Sequence, residues 1–316
     1  MAKAVFLDLA SMGDGLDLSG VEQVVEHLVC HQRTTREQAA ARMRGFPIVI
    51  VNKVVLDRET LESTRPTLIC VVATGVNNID LEACSDLGIT VVNSRAYGTD
   101  SVAQHALMLM LVLNTRLMDY HAAVRAGDWQ RSNQFCLLDY PIRELNGKTL
   151  GIIGYGTLGK RTAELAKAFG MKVMVAQRPG GQPRQDRVPL QDLLPRVDVL
   201  SLHCPLTEDT RNLLGAEELA RMRPGSLLIN TARGGLVDEE ALAESLRTGH
   251  LGGAGFDVLT EEPPRQGNPL LAPDIPNLIV TPHSAWGSRE ARQRILQQLV
   301  ENIRAWRAGQ PVRVVR

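Results

Sequence analysis

The sequence predicts an α/β protein with two doubly wound parallel-sheet domains and a cleft between them. Short apolar runs rich in β-branched residues alternate with amphipathic helical patterns along the whole chain, which is typical of parallel sheets covered by helices. The chain has 316 residues, of which 44% are apolar and 22% are charged. That length is too great for one small core and fits two α/β domains of ordinary composition.

The first half of the chain contains four predicted strands, at Ala4–Leu9, Ile48–Asn52, Leu68–Val72 and Thr90–Val92. A very apolar segment from Ser101 to Leu117 follows them. Its length favours a helix over a strand, and its apolarity indicates burial on most sides. We expect an irregular stretch after it, around Trp129 and the Tyr140-Pro141 pair.

The second half repeats the alternation more clearly. Its predicted strands are Thr149–Ile153, Lys172–Ala176, Val197–His203, Ser226–Asn230, Gly253–Val258 and Leu278–Thr281. The helices predicted between them are Thr157–Phe169, Glu217–Met222 and Glu239–Arg247. A last helix, Ser288–Ala308, stops at Gly309 with Pro311 beyond, which is a usual end signal.

Charge and cysteine content argue against several classes of protein. Lys plus Arg and Asp plus Glu number 35 each, so no net field attracts nucleic acid or an anionic membrane. No apolar run of roughly 18 residues predicts a membrane span. The cysteines form no CxxC pair, which favours free thiols in a reducing cytoplasm. His27 and His31 have helix-like spacing but no third ligand nearby, so no metal site is predicted.

A glycine-rich loop joins the predicted strand Thr149–Ile153 to the helix after it. Its sequence is Gly-Tyr-Gly-Thr-Leu-Gly, from Gly154 to Gly159. In this context the first glycine allows a tight turn, the second lets a pyrophosphate approach the backbone, and the third permits close helix–sheet packing. Free N–H groups at the helix N-terminus then bind the pyrophosphate. The loop predicts a Rossmann-like domain that binds a dinucleotide.

The residues that end the next strand bear on which dinucleotide is bound. A carboxylate roughly 20 residues after the first glycine usually binds the adenosine ribose hydroxyls. Gln177 occupies this place, and Arg178 follows it. A neutral residue beside a cation does not repel a 2′-phosphate, which favours NADP(H) while still admitting NAD(H). The alternative is that the Arg178 side chain points into solvent.

Three further segments place charged residues where predicted strands end. They are Asn230 to Gly235, Phe256 to Pro263, and Thr281 to Trp286. Open α/β sheets bind ligands at this edge, and the planar fork of Arg233 suits a carboxylate. A carboxylate beside His283 can fix its tautomer and raise its pKa, which makes the histidine a proton donor near neutral pH. Glu261 and Glu262 are the two candidates for the carboxylate beside His283.

These segments resemble, in order, the signatures of the D-isomer-specific 2-hydroxyacid dehydrogenase family. The matching stretches are NTARGGLVDEEAL, GAGFDVLTEEPP and LIVTPHSAW, and the similarity covers essentially the whole chain. Within the family the sequence is most similar to glycerate dehydrogenases, also called hydroxypyruvate reductases. The segments VNKV, ATG, QFCLLDYPI and HSAWGS carry this narrower match. The resemblance implies reduction of hydroxypyruvate to D-glycerate and of glyoxylate to glycolate.

The resemblance also implies residue roles. Arg233 binds the substrate carboxylate, and Glu262 supports His283 as the acid and base. The implied substrate contacts besides these are Lys53, Thr74, Gly75, Val76 and Trp286. The implied cofactor site comprises Gly154, Gly156, Thr157, Leu158, Gly159, Gln177, Arg178, His203, Cys204, Pro205, Thr210, Thr231, Ala232, Asp257, His283 and Ala285. The alternatives are a structural ion pair for Arg233 and a solvated side chain for Lys53.

The family organisation implies a discontinuous, flavodoxin-like substrate-binding domain of residues 1–99 and 288–316 and a dinucleotide-binding domain of residues 100–287. A homodimer through the Ser101–Leu117 region is implied, because one small domain cannot cover so apolar a helix. His105 on that helix is expected to be a packed structural residue. Two other functions stay open: a dinucleotide-sensing regulator on the same scaffold, and a family enzyme with another substrate, such as a different 2-keto acid, formate or phosphite.

Overall fold

The structure, a computed structural model, describes residues 2–178 and 180–315. The chain forms two compact units, Met1–Gly98 with Gly287–Arg316 and Thr99–Trp286. Each unit contains one sheet whose named strands all pair in parallel. The predicted fold class of parallel sheets wrapped by helices is therefore confirmed.

The first unit is built on a five-stranded sheet. Its strands are β1 (Ala4–Phe6), β2 (Leu28–Cys30), β3 (Ile48–Val51), β4 (Leu68–Val71) and β5 (Thr90–Val92). They lie in the order β2-β1-β3-β4-β5, a doubly wound order of the flavodoxin type. The helices that come before the second unit are α1 (Ser19–Glu22), α2 (Arg36–Met43), α3 (Arg58–Thr64) and α4 (Leu81–Asp86). Every residue of β3 and β4 is buried, so the centre of the sheet forms the core.

Strand β2 is absent from the predicted strands. Its three residues are half-buried or exposed, so they give neither a buried apolar run nor a clear alternation. His27 and His31 flank this strand and do not share a helix face. The helical spacing inferred for these two histidines is therefore wrong.

The apolar helix that opens the second unit also differs from its predicted bounds. Helix α5 spans Thr99–Thr115 and ends there because Arg116 takes the left-handed conformation, with φ of 54°. Two more helices follow, α6 (Leu117–Arg125) and α7 (Asp128–Arg131). Trp129 thus lies on a short helix and not in irregular chain, whereas Tyr140 and Pro141 do lie outside helices and strands.

The second unit has a six-stranded sheet. Its strands are β6 (Thr149–Ile153), β7 (Lys172–Val175), β8 (Val199–Leu202), β9 (Leu227–Asn230), β10 (Gly253–Phe256) and β11 (Leu278–Val280). Its remaining helices are α8 (Thr157–Ala168), α9 (Leu190–Leu193), α10 (Ala216–Arg221) and α11 (Glu239–Arg247). The strand order is β11-β10-β9-β8-β6-β7, so the direction of winding reverses between β6 and β8. Such a switch point is where open α/β sheets bind ligands.

The last helix, α12 (Arg289–Arg307), belongs to the first unit. Ser288 caps its N-terminus by accepting a hydrogen bond from the backbone N–H of Ala291 at 3.1 Å. Arg304 and Arg307 lie in its last turn, where cations interact favourably with the free carbonyls. Within the described part of the chain, every helix is too short or too polar to cross a bilayer.

Candidate active site

The glycine-rich loop lies at the switch point of the second sheet. Gly154 has φ of 92°, and a Cβ there would lie 2.5 Å from backbone atoms of His203 and Cys204, so only glycine fits. A Cβ on Gly159 would collide with the carbonyl oxygen of Gly154, so this glycine lets α8 pack closely on β6. A Cβ on Gly156, in contrast, would meet nothing within 4 Å.

That open space lies where a dinucleotide pyrophosphate would approach the backbone. Gly156 is the N-cap of α8 and has no side chain to satisfy the first N–H groups of the helix, which include those of Thr157 and Leu158. Unsatisfied N–H groups at the start of a twelve-residue helix suit an anionic ligand. The loop therefore has the shape and the donors that a pyrophosphate requires.

The segment after β8 packs against this loop. Thr210 holds it in shape: its hydroxyl donates to the carbonyl of Pro205 at 2.8 Å and accepts from the backbone N–H of Thr207 at 2.7 Å. The Thr210 hydroxyl, expected to contact the cofactor, is thus already engaged within its own loop. Cys204 is buried, and burial raises the pKa of its thiol to about 11. A thiol with that pKa stays protonated at neutral pH and is a poor nucleophile.

His203 is half-buried and lies beside Ser201. Its Nε2 lies 2.9 Å from the hydroxyl of Ser201, and its buried Nδ1 has no hydrogen-bond partner among the described residues. Burial lowers the pKa of His203 to about 4. The imidazole therefore stays uncharged across the physiological range, which suits a residue beside an uncharged ribose or nicotinamide better than a proton donor.

The depressed pKa of His203 predicts a pH-dependent stability. Below its ordinary pKa of about 6.5 the unfolded chain binds a proton that the folded chain excludes, so stability falls as the pH drops towards 4. Between pH 7 and pH 5 this one group should lower the free energy of unfolding by about 2 kcal/mol. Urea unfolding at pH 7, 6 and 5 measures the loss. His203→Gln should lack that share of it, and equal pH slopes in the two proteins would contradict the assignment.

The predicted ribose-binding residues at the end of β7 make contacts within their own loop. The side-chain amide of Gln177 donates to the carbonyl of Arg184 at 2.9 Å and accepts from the N–H of Arg184 at 3.2 Å. Both polar atoms of the Gln177 side chain therefore bind backbone groups of the loop that follows it. Arg178 is exposed, and its Cβ lies 3.0 Å from where a Cβ on Gly181 would stand, so its side chain folds along the turn.

Arg233 follows β9 and is held by its neighbours. The buried side chain of Asn230 donates to the carbonyl of Arg233 at 2.9 Å and accepts from the N–H of Ala232 at 3.0 Å. The Arg233 side chain is exposed and donates to the Ala232 carbonyl at 2.6 Å. Thr231, just before, has a buried hydroxyl with no hydrogen-bond partner in the described structure. A single exposed cation on a fixed backbone is suited to an incoming carboxylate.

Asp257, after β10, shapes the loop that carries the histidine. Its carboxylate accepts hydrogen bonds from the hydroxyl of Thr281 at 2.6 Å and from the N–H groups of Ser284 at 2.9 Å and Ala285 at 2.8 Å. Its backbone carbonyl accepts the N–H of His283 at 2.9 Å. The carboxylate is 1% exposed, so Asp257 holds this loop in position from the buried side.

His105 supports the same loop from α5. Its Nε2 lies 3.0 Å from the Thr281 hydroxyl, which itself donates to Asp257, so Nε2 carries a proton and donates it to the hydroxyl. Burial lowers the pKa of His105, against the opposing charge of Asp257. The residue is packed and structural, as the sequence predicts.

His283 and Glu262 form the central pair. Nδ1 of His283 lies 2.6 Å from Oε2 of Glu262, while the other carboxylate oxygen accepts the N–H of Leu259 at 2.9 Å. Glu262, and not Glu261, is thus the carboxylate at the histidine. This contact fixes Nδ1 as the donor to the carboxylate and leaves Nε2 to exchange a proton with a ligand. About one third of the His283 side chain is exposed, so ligands can reach it.

The segment that contains Arg233 contacts, through its backbone, the segment that anchors the Glu262 side chain. A Cβ on Gly234 would collide with the backbone of Leu259 and Thr260, so the chain after Arg233 touches the chain that anchors Glu262. Asn230 and Gly234 were not among the predicted site residues. The signal for Asn230 is a polar residue at the end of an otherwise apolar strand.

Of the remaining predicted substrate residues, all but Trp286 lie in the first unit. Asp8 accepts the N–H groups of Asn52 at 2.9 Å and of Lys53 at 2.6 Å, which fixes the loop after β3. Burial raises the pKa of Asp8, while these backbone N–H groups oppose the rise. After β4, the Thr74 hydroxyl donates to the Ser94 carbonyl at 3.0 Å, and the chain continues through Gly75 and Val76. Trp286, at the end of the second unit, is half-buried.

Sequence comparison identifies the class. The family model described as D-isomer specific 2-hydroxyacid dehydrogenase, NAD binding domain, matches residues 107–285. The chain belongs to this family and is an NAD(P)-dependent oxidoreductase that acts on CH–OH groups. The glycine-rich loop, Arg233, Glu262 and His283 all lie within the matched range.

Individual relatives are similar over nearly the whole chain. The chain is 46% identical to the glycerate dehydrogenase of Methylorubrum extorquens, with 99% of this chain and 98% of that protein covered. It is 37% identical to the hydroxypyruvate reductase of Blautia hydrogenotrophica, with 99% of each covered. A solved structure of an acyclic imino acid reductase in complex with NADPH and D-Arg is 30% identical, with a TM-score of 0.86 and coverage of 99% and 100%.

Proposed function

We propose that this dehydrogenase reduces hydroxypyruvate to D-glycerate and glyoxylate to glycolate. The observation that carries the proposal is the contact of 2.6 Å between His283 and Glu262, in the same unit as a fixed and exposed Arg233. Arg233 binds a carboxylate, and the His283–Glu262 pair delivers a proton. Reduction of a 2-keto acid requires both. The names of the two curated relatives support the choice of substrate.

The residues divide the reaction as follows. Arg233 holds the carboxylate of the keto acid through its paired N–H donors. The glycine-rich loop from Gly154 to Gly159 would hold the nicotinamide cofactor, whose chemistry would be hydride donation to the keto carbon. Nε2 of His283 donates a proton to the oxygen as it gains negative charge, and the Glu262 carboxylate stabilises the histidine while it is charged. Lys53 and the backbone amides of Thr74 to Val76 are separate candidates for carboxylate binding in the first unit. Trp286, in the second unit, is the candidate that limits the substrate to short acids.

A substrate screen tests this proposal. Purified protein is assayed with NADPH and NADH against hydroxypyruvate, glyoxylate, pyruvate and phosphonooxypyruvate, with cofactor oxidation as the readout. We expect hydroxypyruvate and glyoxylate to give the highest kcat/KM. A higher value for pyruvate or phosphonooxypyruvate would assign the enzyme to another 2-keto acid, and no turnover with any of them would favour a dinucleotide-sensing regulator.

We propose that NADPH is the preferred reductant. Gln177 brings no negative charge to the usual ribose-binding place, and the loop that follows contains three arginines. The related imino acid reductase that was solved with NADPH supports this choice. A 2′-phosphate carries close to two negative charges, and one charge-assisted contact contributes roughly 1.5–3 kcal/mol. We therefore expect a preference of about tenfold or more, with NADH still used.

The ratio of kcat/KM for NADPH to that for NADH measures the preference. Gln177→Glu should reverse it, because the new carboxylate repels the 2′-phosphate while it can still accept the N–H of Arg184. Gln182→Glu is the matched control, since it adds the same charge at an exposed position of the same loop. A wild-type ratio below one, or equal ratios for the two variants, would exclude the charge argument.

We propose that the protein is a cytoplasmic homodimer. All five cysteines are free, in keeping with a reducing compartment. Most of the exposed large apolar side chains in the described structure lie between Met108 and Ile142. Helix α5 itself is largely covered by its own unit, so the apolar surface lies mainly beyond it, on α6, α7 and the chain around Phe135 and Leu138, which are 94% and 74% exposed. A second copy would bury this surface, and sedimentation velocity reports the mass.

A further inference from the structure

The loop that follows β7 is closed by its own contacts. We call residues 177–188 the arginine loop; Pro179 within it lies outside the described residues. Its base is closed by backbone hydrogen bonds from Gln177 to Val188 at 2.8 Å and from Val188 to Val175 at 2.9 Å. The side chain of Gln177 holds the middle of the loop through both backbone groups of Arg184. These contacts therefore hold the two ends of the loop and Arg184 in place.

One arginine of this loop packs against the glycine-rich loop. The guanidinium carbon of Arg187 lies 4.7 Å from the ring centroid of Tyr155, the residue that follows Gly154. The arginine side chain is only 13% exposed. Its buried Nε lies 3.4 Å from a carboxylate oxygen of Asp186 and forms no hydrogen bond within residues 2–178 and 180–315. A buried guanidinium is costly unless its donors are used, so an anion beside it would be bound well.

The other two arginines of the loop are engaged or solvated. Arg184 donates twice to Asp186, at 2.9 and 3.2 Å, and its side chain is 64% exposed. Arg178 is exposed and lies along its own turn. Nearby negative charge comes from Asp186 in the loop and from Asp209, whose carboxylate lies close to Gly180. Arg187 is thus the least exposed arginine of the three, and it contacts the glycine-rich loop at Tyr155.

We infer that Arg187, stacked on Tyr155, is the main contact for the 2′-phosphate of NADPH and sets the cofactor preference more strongly than Arg178. The inference rests on the proposed preference for NADPH and adds the residue that produces it. A guanidinium that lies over an aromatic ring and is shielded from water has a strong electrostatic field. The field of an exposed arginine is screened by water, so its contribution to phosphate binding is smaller.

Binding of 2′,5′-ADP and 5′-AMP, measured by calorimetry without substrate, tests the inference. The two probes differ mainly in the 2′-phosphate. We expect Arg187→Gln to weaken 2′,5′-ADP binding about tenfold or more, while 5′-AMP binding changes less than about threefold. Arg187→Lys should recover part of the loss, because it restores the charge without the planar stack. Arg184→Ala is the matched control in the same loop and should change neither probe.

Three outcomes would overturn the inference. Wild-type protein that binds both probes equally has no 2′-phosphate site. If Arg187→Gln weakens the binding of both probes equally, Arg187 has a purely structural role. A larger loss of 2′,5′-ADP binding in Arg178→Ala than in Arg187→Gln makes Arg178 the main contact. None of these results bears on whether the enzyme reduces hydroxypyruvate, so the proposed reaction is judged separately.

Discussion

Replacement of His283 by asparagine should lower kcat by at least ~10²-fold while the protein still folds and binds cofactor. The loss is expected because asparagine cannot deliver the proton that Nε2 supplies to the developing alkoxide. His283 has φ of 51°, a backbone conformation that asparagine adopts more readily than most residues. His283→Asn therefore removes the proton without adding backbone strain, which His283→Ala would do.

Single-turnover rates with saturating cofactor measure this effect, and quenching of protein fluorescence measures cofactor binding. Glu262→Gln provides a graded comparison, since it keeps an acceptor for the N–H of Leu259 but removes the charge that supports the histidine. Its rate should fall less than that of His283→Asn, because the histidine can still donate a proton. Near-wild-type turnover in His283→Asn would remove this residue from the mechanism.

Arg233→Lys should raise the KM for the keto acid by about 10- to 100-fold with little change in cofactor affinity. Lysine keeps the charge but cannot reproduce the two parallel donors that a guanidinium offers to a carboxylate. A charge-assisted pair of this kind contributes roughly 1.5–3 kcal/mol, which sets the expected range. Asn230 and Gly234 hold the backbone on either side, so the shorter reach of the donors is not corrected by movement of the chain.

Steady-state kinetics with hydroxypyruvate and glyoxylate separate KM from kcat. Arg221→Lys is a suitable control, because Arg221 forms a surface ion pair with Glu217 on α10. A KM preserved in Arg233→Lys would mean that residues other than Arg233 hold the substrate carboxylate.

Much of the architecture can be predicted because it depends on local pattern. The buried strands of both sheets contain continuous apolar runs, and Gly154 to Gly159 follow one of them directly. Strand β2 escaped prediction because its half-exposed residues carry no such run. The end of α5 at Arg116 depends on a backbone conformation that arginine rarely adopts, so composition gives no warning of it.

The candidate site was predictable where chemistry and strand ends coincide, as at Arg233 and His283. The choice between Glu261 and Glu262 depends on the path of a loop, which local pattern does not determine. Gln177 shows the same limit: its place after β7 predicts a ribose contact, yet its amide is bound to Arg184 from the far side of the loop. Contacts between distant segments also bring Arg187 to Tyr155, and neither residue belongs to a motif that would reveal the other.

The backbone contact at Gly234 constrains how this enzyme can be altered. The chain after Arg233 lies directly on the chain that anchors the Glu262 carboxylate. A shift in the position of one segment therefore displaces the other, so a substitution in either segment affects both. Attempts to change substrate choice around residues 230–234 will alter proton delivery as well, so new specificity is better introduced on loops that do not touch Leu259.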